Sequence, residues 1–185
     1  IESSLSGVGR NVGRDSVLWY ERDFVIPRKW KQHTLLHFDA VDWKAEVWLN
    51  GKQLNTHTGG YTRFSYDITP FLVPGKQHLV VKVTDGTDND MQPRGKQVTN
   101  PQSIWYTSVT GIWQSVWIEP VADAYISGYY AETTLGGDIK LSTSIVGEAD
   151  NVFYRLLPDG GGLRVFPELQ LARGDLQQFP GEGVA

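Results

Sequence analysis

The chain has 185 residues, 40% hydrophobic and 21% charged, with a net charge of −4 and no cysteine. Disulfides and thiolate chemistry are therefore excluded, and no basic stripe offers a nucleic acid its counter-charge. No apolar run approaches the roughly 18 residues that span a bilayer, so neither nucleic acid nor membrane is an expected partner.

The chain opens on Ile1-Glu2-Ser3-Ser4 with no charged n-region and no apolar core, so no export signal is read there. The lack of cysteine leaves the compartment undetermined. Aromatics are plentiful, with seven Trp, eight Tyr and seven Phe beside 20 Gly and nine Pro. That mixture favours many short strands joined by tight turns.

Residues 16–27 alternate with period two, placing Leu18, Tyr20, Phe24 and Ile26 on one face, and Pro27 ends the strand. Residues 34–40 form a second strand, with Leu36 and Phe38 pointing one way and His37 and Asp39 the other. The run from Ala45 to Leu54 contains Asn50-Gly51, which can take both positive-φ positions of a type I′ turn, so it reads as a hairpin. Residues 65–68 make a short strand, 69–72 one helical turn, Pro74-Gly75 a turn, and 78–84 a further alternating strand.

Residues 85–103 break the rhythm. They are polar, rich in Gly, Pro and Asp, and without period, which inside a compact domain points to a functional loop, a lid or disorder. Strand pattern returns over 111–119, with Ile112, Val116 and Ile118 on one face and Trp113 and Trp117 on the other. Trp113 and Trp117 read as packing rather than as a ligand shelf. Trp105 and Tyr106, at the boundary of loop and strand, suit a sugar platform as well as they suit packing. Weaker strands follow at 125–133 and 138–146, and the tail from Pro158 reads as mostly loop.

In the loop, Asp85, Asp88 and Asp90 are the candidate carboxylates for chemistry, or else a solvated, turn-forming cluster. Arg94, Lys96 and Gln97 can donate hydrogen bonds to sugar hydroxyls or simply face solvent. The clustered hard oxygens of the three aspartates also suit a calcium ion, but the acidic spacing does not match an EF-hand loop. Gly7-Val8-Gly9-Arg10-Asn11-Val12-Gly13 has the wrong spacing for a dinucleotide fingerprint and precedes a strand. The four histidines lack the spacing of a zinc site. No cofactor and no metal are expected.

Taken in order, the motifs resemble the sugar-binding domain of glycoside hydrolase family 2, which includes bacterial β-galactosidases, β-glucuronidases and β-mannosidases. The matching residues are Trp19-Tyr20 with Phe24 and Pro27; Leu36-His37-Phe38-Asp39-Ala40-Val41-Asp42; and Glu46-Val47-Trp48-Leu49-Asn50-Gly51. They continue through Gly59-Gly60-Tyr61-Thr62-Arg63-Phe64, Asp67-Ile68-Thr69, Pro74-Gly75, Pro93-Arg94-Gly95-Lys96-Gln97, Trp105-Tyr106 and the run from Gly111 to Pro120.

The resemblance implies an all-β chain: a jelly-roll, galactose-binding-like β-sandwich over 1–122, then part of an immunoglobulin-like β-sandwich over 123–185. That second part has about 60 residues where a whole sandwich takes roughly 100, so it is expected to be truncated. The first sandwich is expected to lack its first strand. Large bacterial β-galactosidases carry a sodium-binding aspartate two residues before the tryptophan matching Trp105; here that residue is Ser103, and the site is not carried over.

The implied function is a non-catalytic sugar-binding and scaffold domain supporting a catalytic TIM barrel in O-glycosyl hydrolysis. Both catalytic glutamates of the family belong to that barrel, so no catalytic residue is expected here. The implied partners are a carbohydrate substrate and the barrel. Asp85, Asp90, Arg94, Lys96, Gln97, Trp105 and Tyr106 are the candidate carbohydrate-binding residues. An autonomous lectin-like carbohydrate-binding module is the alternative, and a structural sandwich for oligomer contacts is a third reading.

Overall fold

The computed structural model describes residues 7–10, 12–30, 32–89, 91–149, 152–159, 162–168 and 178–179. The chain divides into two compact units, Ile1–Pro120 and Val121–Ala185. Among the described residues there is no α-helix, and the all-β sandwich expected from the sequence is what forms.

In the first unit the strands are β1 (Leu18–Val25), β2 (His33–Phe38), β3 (Val41–Asp42), β4 (Lys44–Leu49), β5 (Lys52–Gln53), β6 (His57–Thr58) and β7 (Phe64–Asp67). A 3-10 turn, Thr69–Phe71, leads to β8 (Lys76–Thr84), followed by β9 (Gln97–Val98), β10 (Tyr106–Thr107), β11 (Gly111–Ile112) and β12 (Val116–Val121). One sheet runs β1-β8-β4-β5, with β6 also on β4; a second runs β12-β2-β7, and β11 pairs with β3 and β10 with β9.

Period-two alternation sends Val47 and Leu49 of β4, and Leu79, Val81 and Val83 of β8, inward to meet Leu36 and Phe38 of β2. Leu18, Tyr20 and Phe24 of β1 pack against this core from the face read for them in the sequence.

The hairpin forms at Asn50-Gly51, with φ of 52° and 78° and Leu49 opposite Lys52. Asn50 is held by more than its turn. Its Nδ2 donates to Phe71 O at 2.9 Å and to Gln77 Oε1 at 2.8 Å, and its Oδ1 accepts from His78 N at 2.9 Å.

Gln77 is itself buried and complete. Its Oε1 also accepts from Val73 N at 3.0 Å, and its Nε2 donates to Val73 O and Gly75 O at 2.7 and 2.9 Å. Gln77→Leu removes four bonds from one buried point but leaves loop groups that water can reach. We expect a loss of about 2 kcal/mol in urea unfolding. A loss below about 0.5 kcal/mol would show the knot to be dispensable.

Two expectations need correction. The run 111–119 is not one strand: it breaks at 113–115 between β11 and β12, so Trp113 and Trp117 do not share a face. Ile112 and Ile118 still pack on the core, but Val116 is 37% exposed. Trp117 lies on the outer face of its sheet, stacked on His37 with centroids 4.0 Å apart, and its indole N–H donates to Asp39 Oδ1 at 3.2 Å.

His37 Nδ1 meets Ser65 Oγ at 2.6 Å, while Nε2 lies 3.1 Å from Glu119 Oε1 but off the line a hydrogen bond needs. Burial holds the imidazole of His37 below its ordinary range, ahead of the opposing pull of Glu119.

The second correction concerns the tail. In the second unit β13 (Tyr125–Thr133) pairs antiparallel with β14 (Ile139–Val146). Within the stretch read as loop from Pro158, described residues belong to a ribbon of β15 (Phe153–Asp159) and β16 (Gly162–Glu168), and β17 (Gln178–Phe179) pairs with β14. Pro158 argues against a strand by composition, but a two-stranded ribbon has an open edge that tolerates proline.

Candidate functional site

The segment from Asp85 to Thr110 joins β8 to β11 and carries all seven residues singled out from the sequence. It is anchored from within. Asp85, at the end of β8, is buried; its Oδ1 accepts from Thr87 N at 2.7 Å and Gln92 Nε2 at 2.6 Å, and its Oδ2 accepts from Thr110 Oγ1 at 2.8 Å. The turn-forming reading fits Asp85, and the solvated one does not. Asp88 ties the two arms of the loop together by accepting from Thr99 Oγ1 at 2.6 Å and Thr99 N at 3.1 Å. Those donors hold its carboxyl below the usual range. Asp90 lies outside the described residues.

A shallow open depression of about 280 Å³ lies beside Asp85, lined among others by Arg14, Trp43, Lys44, Met91 and Gln92. Arg94, Lys96, Gln97, Trp105 and Tyr106 do not line it.

What gathers the others is a short parallel pairing of β9 with β10, which sets Gln97 opposite Tyr106, and Tyr106 N donates to Lys96 O at 2.8 Å. Lys96 Nζ then sits 5.7 Å from the centroid of the Tyr106 ring, within cation–π range. Trp105 is 42% and Tyr106 62% exposed, so both rings offer surface to a ligand. Arg94 lies near enough to Asp88 for its charge to favour the carboxylate.

Gln97 points the other way. Its Nε2 donates to Asp42 Oδ2 and to Tyr61 Oη, both at 3.2 Å, and its Oε1 accepts from Val109 N at 2.5 Å. It is a tie between loop and sandwich. Tyr61 in turn meets Trp113 edge-on at 6.1 Å, and the indole N–H of Trp113 is fixed on Gly60 O at 2.8 Å. Trp113, read from the sequence as packing, is 40% exposed, so Tyr61 and Trp113 add a second pair of held rings near the loop.

Asp42 was not singled out, because a polar residue at a strand end is unremarkable in sequence. In the fold it is buried beside Gly60. Burial first, and the carboxylate of Asp85 second, push its pKa up to about 6 against the donation from Gln97.

Comparison with known proteins places this sandwich. The model of the sugar-binding domain of glycosyl hydrolases family 2 matches residues 10–120. The chain belongs to glycoside hydrolase family 2. A β-galactosidase of Thermoanaerobacter pseudethanolicus is 30% identical to this family 2 chain over 139 residues, which is 71% of the chain and 18% of that protein. A β-galactosidase of Bacteroides ovatus is 27% identical over 156 residues, covering 80% of the chain and 17% of the relative.

Among solved structures, β-glucuronidase 2 of Bacteroides uniformis, covalently bound to cyclophellitol-6-carboxylate aziridine, superposes with a TM-score of 0.64 at 25% identity. It covers 91% of this chain and 21% of that one. The family 2 chain thus spans about a fifth of the length of the relatives it matches.

Proposed function

We propose that this chain is the non-catalytic sugar-binding and supporting module of a glycosidase of the β-galactosidase or β-glucuronidase kind. The catalytic acid and nucleophile would come from a barrel domain. The observation that carries the reading is the family match across the whole first sandwich.

The carboxylates support it. Glycoside hydrolysis needs two carboxyl groups facing a sugar, about 5–5.5 Å apart for retention or about 6.5–9.5 Å for inversion. Asp42 and Asp85 are buried and bonded to their own chain, in roles that build the loop rather than attack a substrate. In this reading the loop lends Lys96, Trp105 and Tyr106 to the rim of a pocket whose floor is the barrel. Purified chain incubated with nitrophenyl galactoside, glucuronide and mannoside is expected to release nothing above blank. Turnover that tracks the protein through purification would overturn the proposal.

A second reading, an autonomous lectin-like module, is favoured by the exposure of Trp105 and Tyr106 beside Lys96 in this chain alone. Calorimetry with galactose, glucuronate, mannose and their oligomers tests it. If a sugar binds there, Trp105→Ala and Tyr106→Ala should each cost about 1 kcal/mol, roughly fivefold in Kd. Blank heats for every sugar would eliminate the lectin reading and leave the module reading standing.

A further inference from the structure

Asp42 stands at the end of β3, opposite Gly111 of β11, with 3% of its surface exposed. Its Oδ1 has no hydrogen-bond partner. Gly60 crowds that oxygen so closely that a Cβ there would lie 2.5 Å away, so neither a side chain nor a water fits between them. Oδ2 has one donor, Gln97 Nε2.

The groups facing Asp42 come from three elements. Asp85 arrives from the end of β8 as a like charge. Gln97, from the loop, is neutral and is shared with the hydroxyl of Tyr61, and Gly60 offers only backbone.

An ionised Asp42 is thus a buried charge with half its acceptor capacity unmet, set against a second carboxylate. Its cheapest relief is water, and the cover that yields most easily is Gln97. The loop that carries Gln97 has two-residue strands, β9 and β10, as its regular structure.

We propose that Asp42, Gln97 and Gly60 form a proton-operated latch on the loop between β8 and β11: shut on the sandwich when Asp42 is protonated, and loosened when it is ionised. Because Gln97 is joined through β9 to Lys96 and Tyr106, loosening displaces the exposed surface described above. The latch stands whichever ligand that surface meets.

Burial and the like charge of Asp85 set the sign. In the shut form the carboxyl holds its proton up to about pH 6, whereas a solvated aspartate releases it near 3.8. The shut form therefore binds the proton better, is favoured below the lower value, and loses that advantage as pH rises through the higher one.

Amide hydrogen exchange on the 185-residue chain, corrected for intrinsic rates, reads the latch at Val109 N–H and Tyr106 N–H. Protection at both is expected to fall roughly twentyfold between pH 4.5 and pH 7. Asp42→Asn should make it flat with pH, while Asp88→Asn, in the same loop, should leave the dependence intact. Carbon-13 titration of the Asp42 carboxyl in the unmutated chain must share the midpoint of the exchange change, which keeps the test decisive even if Asp42→Asn folds poorly. An Asp42 midpoint below 4.5, or protection that does not move with pH, overturns the latch.

Discussion

Phe38→Ala is expected to destabilise the first unit by about 4 kcal/mol, enough to lower its melting temperature by roughly 15 °C. Phe38 is completely buried in the middle strand of the β12-β2-β7 sheet. Its ring lies almost parallel to that of Phe64, 4.8 Å away at 6°, and meets Tyr66 edge-on at 6.4 Å and 76°. Truncation loses the transfer energy of the ring and leaves a cavity walled by two other rings, which are themselves held by strand pairing to β2 and collapse poorly. Phe38→Leu, which fills most of the hole, should cost about 1.5 kcal/mol. Urea unfolding of the three proteins checks both values. A cost below about 1 kcal/mol for the alanine variant would mean that the core is centred elsewhere.

That core was legible because its signals are local. Alternation in β1, β2 and β8 is a property of adjacent residues, and Asn50-Gly51 needs only its own two backbones to dictate a hairpin. The contrast between Phe38 and its neighbour His37 follows from the same period, one facing the core and the other stacked on Trp117 across the sheet's outer surface.

The loop was legible as a loop, but its interior was not. Nothing in the spacing of Asp85, Gln92 and Thr110 announces that one buried carboxylate gathers the others, because the contact spans 25 positions. Gln97 drew attention as a possible sugar donor; that it ties Asp42, Tyr61 and Val109 is a property of three distant backbones meeting.

Trp113 failed for a different reason. The strand interruption at 113–115 carries no glycine or proline of its own, so a period-two count runs straight through it and gives Trp113 and Trp117 one shared face.

The glycine just before that interruption provides the sharpest test of the packing. Gly111 has a φ of +99°, where a Cβ is strained, and it is buried against β1. A Cβ built there would collide with Tyr20 Oη and stand 3.0 Å from Leu18 Cδ1 and 3.2 Å from Tyr20 Cζ. The Tyr20 hydroxyl cannot simply retreat, since it accepts from Ile112 N at 3.3 Å. Gly111→Ala therefore combines a backbone cost, an overpacking cost and a lost hydrogen bond, about 4 kcal/mol together. Tyr20→Phe alone removes the hydroxyl and should cost about 1 kcal/mol.

The two changes cannot add. With the hydroxyl gone, the added methyl meets a ring edge that can tilt, so the double variant should be more stable than the sum of the singles by at least about 1 kcal/mol. A double-mutant cycle in urea measures this. Strict additivity would show that Gly111 is needed for its backbone angle alone, and that Tyr20 does not fix how β11 enters the sandwich.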